Sequence, residues 1–375
     1  RAVEQRIAGS VDHKRMDTRD ARTLWFLRFL ADHNINEIEF LANENKDEIM
    51  ACYTVSLFDG NTIQGKTIKT ATIKGYIQAV NDFCVANQQK AAVNFKIPAS
   101  KVVRLLNDQA KFEEMPARRL PFTPGMTYAI MITATKDKDF LGLECAISNW
   151  TGVGRLAATR LQEFAQDKDD EVMMYVTPSG ERIVRAFTRG NVTLFDKDNV
   201  AVASAKPSDR AKVTGTIIEY DVQKNRENKQ KLGYDRCTNL DRKRYDLTEN
   251  MMQIIDRADQ LGQPHHLPLA VFKDTAGKVK YLTGQVYTEF VRQQIKMAYP
   301  LIPDEELSLY STHSLRVTAA NLLHEAGKDG SYIKLRCRWK SDCFEIYLPN
   351  TVKIRRQHAE ALQVADNELV AMGMV

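Results

Sequence analysis

The chain has 375 residues but only six cysteines, at 52, 84, 145, 237, 337 and 343, and no two of them form a CxxC pair. That scatter argues against a disulfide scaffold and against a thiolate zinc site, so reduced, structural thiols are expected. Long apolar runs are missing as well. No uninterrupted stretch approaches the roughly 18–20 residues needed to span a bilayer. The first residues, Arg1-Ala2-Val3-Glu4-Gln5-Arg6, lack the apolar stretch of a signal peptide. The expectation is an intracellular protein with no membrane partner. Internal repeats and low-complexity tracts are absent. So is any Asp/Glu cluster of the kind a two-metal nuclease needs, and neither a metal nor a cofactor is expected.

What is present fits a globular protein able to bury a sizeable core, with 43% hydrophobic and 27% charged residues. The length suits two domains better than one. The net charge of +5 is only mildly basic. Its distribution says more: within 328–356, Lys328, Lys334, Arg336, Arg338, Lys340, Lys353, Arg355 and Arg356 stand against Asp329, Asp342 and Glu345. A basic cluster in a folded region attracts phosphate, although a solvated helix face has the same composition.

Apolar spacing predicts an all-helical first part over about 15–112. Leu24, Leu27, Phe29 and Leu30 mark a helix over 20–34, and 35–53 continues in the same style. A polar loop with two glycines follows at 60–67. Ile73, Tyr76, Ile77, Val80 and Phe83 face inward from a helix over 72–83, and another helix lies near 100–112. The charged, proline-containing stretch 113–121 reads as a linker. It gives domains over 1–115 and 116–375. The second part is mixed: helices over 124–135 and 140–149, short strands over 172–176, 183–187 and 191–195, a hairpin over 211–234, and helices from 286 to near the end.

Four segments carry candidate chemistry. In 151–166 a glycine-containing turn leads into a helix bearing Arg160 and Glu163, three residues apart and so on one face. At the hairpin tip stands Gln223-Lys224-Asn225-Arg226. In 312–320 a helix capped by Ser311 or Thr312 puts His313 and Arg316 one turn apart, within reach of one anionic group. Finally, Arg338-Trp339-Lys340-Ser341-Asp342 leads to Tyr347-Leu348-Pro349. Taken singly, these are an ordinary ion pair, a turn lysine, a chance HxxR and a core tyrosine.

Their order is more specific. Arg with Glu at +3, a hairpin lysine, HxxR, Trp and then Tyr is the running order of the tyrosine recombinase catalytic domain. The sequence resembles that family over about 120–355. The phrases Arg160-x-x-Glu163-Phe164-Ala165-Gln166, Gln223-Lys224-Asn225-Arg226, His313-Ser314-Leu315-Arg316-Val317 and Arg338-Trp339-x-Ser341-Asp342 resemble those of recombinases from Crypton and DIRS-like mobile elements. The resemblance implies a mainly α fold with a small β-sheet: a helical core-binding domain and a mixed α/β catalytic domain with a C-terminal helix. It implies a site-specific recombinase or integrase working through a 3′-phosphotyrosine. Arg160 and Arg316 would clamp the scissile phosphate, with His313 beside them, Lys224 as the hairpin lysine and Trp339 where many members have histidine. Tyr347 would be the nucleophile, and Glu163 the acid supporting the arginine. Double-stranded DNA would be the partner, bound by a homotetramer, in the nucleus if the host is eukaryotic.

Rivals exist for several positions. Arg155 competes with Arg160 but has Ala158, not an acid, at +3. Lys229 and Lys231 compete with Lys224. Tyr310 precedes the HxxR helix and Tyr332 precedes the Trp segment, which makes both poorer nucleophiles. His265-His266 read as loop residues. The Trp339–Tyr347 spacing is one shorter than in many bacterial relatives, and Pro349 should end the tyrosine helix early. A non-catalytic DNA-binding descendant and a type IB topoisomerase are the alternative functions. An amphipathic helix is expected within 359–369.

Overall fold

The computed structural model describes residues 13–113, 118–136, 139–176, 180–202, 207–221, 228–236, 246–341 and 345. It is mainly helical with a small β component. The chain divides into two compact units, Arg1–Pro116 with Val176–Glu181, and Ala117–Tyr175 with Arg182–Val375.

The described part of the first unit is helical: α1 (His13–Asp32), α2 (Glu37–Ala42), α3 (Asp47–Phe58), α4 (Thr70–Ala86) and α5 (Lys101–Ala110). Its core centres on Phe26, edge-on to Phe40 and Tyr53 at 4.9 and 5.0 Å. Each such buried side chain stabilises by about 1.5–3 kcal/mol. The single helical stretch expected over 35–53 is in fact two helices. Asn36 accepts from the Ile38 N–H to start α2, and Asn43 accepts from the Asn45 N–H just after it ends, both at 2.8 Å. These Asx bonds compete with helix continuation. Asp47 then caps a distant helix, accepting from Ser100 Oγ at 2.7 Å and from the Lys101 N–H at 2.8 Å.

In the second unit, α6 (Pro124–Lys136) and α7 (Leu143–Ala157) are followed by the one-turn α8 (Leu161–Phe164). Strands β1 (Met174–Val176) and β2 (Arg182–Val184) pair with each other. The antiparallel sheet β3 (Val192–Phe195), β4 (Gly215–Tyr220), β5 (Gln230–Asp235) has α9 (Pro207–Arg210) between its first two strands in sequence. Ile218 lies opposite Val192 on one side and Leu232 on the other, and Thr216, Ile218 and Tyr220 are all buried at period two. Then come α10 (Leu247–Gln260), the hairpin β6 (Val271–Lys273) and β7 (Val279–Tyr281), and α11 (Gly284–Ala298), α12 (Asp304–Leu307), α13 (His313–Glu325) and α14 (Gly330–Cys337). No helix among the described residues is long and apolar enough to cross a membrane.

Helix α7 is the axis of this unit, packing on α6, α10 and α13. Trp150 is fully buried within it and stacks on Phe164 at 5.2 Å. The expected glycine turn at 151–154 does not form. Gly152 and Gly154 lie inside α7, where they permit close approach of neighbours: an added Cβ would stand 2.5 Å from Asn250 Nδ2 or 2.6 Å from Leu315 Cδ1. The linker expected over 113–121 also differs in its second half. The Leu120 N–H donates to Leu309 O, and the Phe122 N–H donates to Thr318 Oγ1 at 2.8 Å, fastening this strand of chain to the second unit.

Candidate functional site

Helix α7 stops at Ala158, whose backbone is left-handed (φ 50°, ψ 43°). Two residues later Arg160 is the N-cap of α8, and Glu163 is its third residue. The Glu163 carboxylate accepts from the Arg160 backbone N–H at 2.7 Å, one half of a capping box, and from Arg160 Nη1 at 3.0 Å. The expected pairing of Arg160 with Glu163 is present, but a helix start creates it rather than the face of a longer helix.

The second arginine comes from α13. Ser311 Oγ accepts from the His313 N–H at 3.3 Å, and His313 is the first residue of the helix. Arg316 follows one turn later, only 3% exposed. Its Nη1 donates to Ala158 O and its Nη2 to Cys337 O, both at 2.8 Å. One guanidinium therefore joins the end of α7 to the end of α14. The Trp339 ring lies 4.9 Å from Arg316 Cζ, against a small cluster of Ala158, Ala319, Ala320, Ile333 and Cys337. That cation–π contact and the apolar packing fix the site of the ring.

A third arginine, absent from the sequence-based set, completes the arrangement. Arg338 follows the last residue of α14 in left-handed conformation (φ 57°, ψ 49°). It is buried, and its Nη1 and Nη2 donate to the two Glu163 oxygens at 2.6 and 2.9 Å. Nη2 also donates to Ala158 O at 3.0 Å, and the guanidinium lies 3.6 Å from the Tyr220 ring centroid of β4. Arg160 Nη2 in turn donates to Arg338 O at 3.1 Å. Each of the three arginines thus reaches a carbonyl at a helix C-terminus, where unsatisfied acceptors and the negative end of the helix dipole favour cations.

Three guanidinium groups surround one carboxylate here. Burial works to raise the Glu163 pKa, but Arg338, Arg160 and Arg316 together hold it below the usual carboxylate value. Arg316 is lowered to about 10, by burial first and then by the positive charges of Arg160 and Arg338. It is still cationic at neutral pH. Burial opposes the charge of Arg338 too, yet Glu163 outweighs it and raises the arginine above its ordinary value. His313 is depressed below 6.5 by burial, then by Arg316 and Arg119, so its imidazole is neutral at pH 7.

Arg160, Glu163, Arg316 and Trp339 therefore come together, with His313 one turn before Arg316. Lys224 and Tyr347 lie outside the described residues, as do Pro349 and the helix expected within 359–369. Arg155 sits in the last turn of α7, half-buried. Lys229 pairs with Asp221, and Lys231 with Glu219 at 3.2 Å. Tyr310 is a core residue, 3% exposed and stacked on Phe122. Tyr332 is part of α14 under Lys328 Nζ at 5.5 Å. His265 is a loop residue 3.9 Å from Asp259. Among the described residues no group of three or more His, Cys, Asp or Glu side chains is gathered to hold a metal. In sequence Arg338 belonged to a basic run and to the phrase Arg338-Trp339-x-Ser341-Asp342, and neither gave it a role. Its partner Glu163 lies 175 positions away, beyond any local pattern.

No protein-family model matches this chain. No curated protein matches it either. Solved structures do. The Tn1549 transposon integrase in complex with circular intermediate DNA is 13% identical, with 96% of this chain and 97% of that chain covered and a TM-score of 0.50. A lambda integrase dimer bound to a COC′ core site is 11% identical over 93% and 94%, with a TM-score of 0.47. The likeness to the Tn1549 integrase is one of fold, along nearly the whole of both chains.

Proposed function

We propose that the chain is a site-specific DNA recombinase or integrase that cleaves and rejoins strands through a covalent 3′-phosphotyrosine. The observation that carries this reading is the clustering of Arg160 and Arg316 with Arg338 around the single carboxylate of Glu163. Such an excess of fixed positive charge suits a phosphodiester whose transition state gathers negative charge on its non-bridging oxygens. Arginine has five N–H donors. Arg316 uses two of them on backbone carbonyls, which orients the fork while others are left for phosphate.

In the reaction Tyr347 Oη attacks phosphorus, an O–P bond forms, and the bond to the 5′ oxygen breaks. Tyrosine has an ordinary pKa of about 10 and must lose its proton during attack. A neutral His313 suits acceptance of that proton, and Lys224 supplies one to the leaving oxygen. Trp339 transfers no proton; its indole N–H donates to the phosphate and its ring packs beside Arg316. The phosphotyrosine conserves the bond energy, so no ATP, cofactor or metal is required. Donors aimed at developing charge are each worth about 3 kcal/mol.

Double-stranded DNA is the proposed partner, supported by the fold likeness to an integrase that was solved with circular intermediate DNA. The phrases around Arg160, Lys224, His313 and Trp339 favour the Crypton and DIRS-like groups of mobile elements. A homotetramer on DNA, inside the cell and in the nucleus of a eukaryotic host, belongs to the same proposal.

Covalent trapping tests it. The full chain is incubated with nicked, degenerate duplexes, denatured, and examined for a DNA-linked band, with Tyr347→Phe as control. A band lost in Tyr347→Phe is expected. No band even on duplexes recovered by the protein's own binding would establish a non-catalytic DNA-binding protein instead. Relaxation of plasmids without any target would point to a topoisomerase.

A further inference from the structure

We propose that Arg338 is a positioning residue that sets Arg160 and Arg316 into one anion clamp and ties that clamp to the β4–β5 strands. The proposal rests on the recombinase reading for its role in strand cleavage, but not for its role in the clamp.

Three observations carry it. The first is conformational. Arg338 has φ 57°, a region where glycine is free of strain and an L side chain is not. A chain that needed only a helix stop would be better served by glycine there, so the side chain has a purpose that outweighs its backbone. The second is connectivity. Arg338 binds both oxygens of Glu163, which also holds Arg160, and it shares the Ala158 carbonyl with Arg316. Its own carbonyl accepts from Arg160 Nη2. It is thereby joined to both proposed phosphate arginines through a shared acceptor or directly. The third is the reach to the sheet. The guanidinium covers the buried Tyr220 ring at the end of β4, and Arg336, two residues earlier, lies 4.4 Å from the Tyr234 ring of β5 and donates to Gly233 O at 3.1 Å. Residues 222–227, Lys224 among them, follow shortly after Tyr220 in sequence.

The test uses the full-length chain with Arg338→Gly, which relieves the backbone while removing the guanidinium, and Arg338→Lys, which keeps the charge without the fork. Melting curves first establish that each variant folds; should Arg338→Gly fail, Arg338→Lys decides alone. Two readouts follow. In covalent trapping on nicked duplexes, Arg338→Gly is expected to fall at least 100-fold in rate, with duplex affinity changed less than threefold. Millimolar guanidinium is expected to restore at least tenfold, and equal sodium chloride none. Arg338→Lys falls at least tenfold. The second readout is orthovanadate binding by calorimetry. The unsubstituted chain binds it, and both variants lose at least tenfold in affinity.

A folded variant that forms adduct and binds vanadate as the unsubstituted chain does overturns the proposal. If the unsubstituted chain forms no adduct, the recombinase reading fails and vanadate binding decides the clamp. Failure of the unsubstituted chain to bind vanadate overturns the clamp itself.

Discussion

Arg338 grips both carboxylate oxygens of Glu163, at 2.6 and 2.9 Å, across 175 positions of chain. Neither charge has much access to water, since the arginine side chain is 0% exposed and the glutamate 10%. Breaking such a pair from one side leaves an uncompensated buried charge, which costs about 3–5 kcal/mol. Glu163→Ala would leave Arg338 and Arg160 without the carboxylate that both bind. Urea unfolding should show a loss of that size. A loss under about 1 kcal/mol would mean that water or other groups satisfy the arginines.

The same carboxylate makes stability depend on pH. Its folded pKa lies below the ordinary 4.5 because Arg338, Arg160 and Arg316 outweigh burial. A depressed carboxylate contributes stability above its unfolded pKa and loses that contribution as pH falls through the folded value. Stability should therefore decline below about pH 4.5, and the decline should be shallower in Glu163→Gln than in the unsubstituted chain. Melting temperatures in a pH series measure both slopes.

Gly154 faces Leu315 Cδ1, where a Cβ would stand at 2.6 Å, and Thr159 Oγ1, where it would stand at 2.8 Å. Alanine gains about 1 kcal/mol over glycine as a helix former. Overpacking in a filled core costs about 1–3 kcal/mol. Both neighbours are fully buried, Leu315 directly precedes Arg316, and Thr159 directly precedes Arg160, so they have little room to yield. Gly154→Ala should lower the melting temperature and weaken anion binding at the arginine cluster. A raised melting temperature would show that α7 does not need the close approach.

These positions also mark how far the sequence could be read. The helix of Ile73, Tyr76, Ile77, Val80 and Phe83 was legible because its apolar spacing follows one face, and the structure buries the first four and half-buries Phe83. The β4–β5 pairing was legible from alternation and a polar turn. Arg160 with Glu163 was legible because the two are three residues apart. Gly152 and Gly154 misled because a turn and a tight helix crossing both demand glycine, and only the partners Asn250 and Leu315, far along the chain, tell them apart. Helix α10 was not expected, although Met251, Ile254, Ile255 and Ala258 form an apolar stripe along it, and the three-residue strands β6 and β7 were not expected either. Arg338 stood in a recognisable phrase, but its role was not legible because the partner that explains it, Glu163, lies 175 positions away.

His313 should titrate below 6.5, since burial, Arg316 and Arg119 all disfavour its charged form. Arg119 also donates to Ser308 O at 2.6 Å, which fastens it to the turn after α12. Arg119→Ala removes one of the three causes, so the His313 pKa should rise toward 6.5 while staying below it. As pH falls through 6.5 the unfolded chain takes up the proton first, and the folded state loses stability. Imidazole resonances followed by NMR, assigned with His313→Asn, give the value in each protein. No upward movement in Arg119→Ala would place Arg119 outside the field of the histidine.

Arg160 is the most accessible member of the Arg160–Glu163 pair, with 23% of its side chain exposed. If it meets a DNA phosphate, its removal releases one fewer counterion on binding. The slope of log affinity against log salt should then shrink by about 0.9 for a duplex. Phosphate contacts carry no sequence information, so Arg160→Ala should weaken binding to unrelated duplexes by the same factor. Fluorescence anisotropy over a salt series, with two duplexes of different sequence, separates the possibilities. An unchanged slope would remove Arg160 from the DNA interface. A loss confined to one duplex would make it a reader of bases, a role that its bonds to Glu163 and to the Arg338 carbonyl oppose by fixing the guanidinium against the protein.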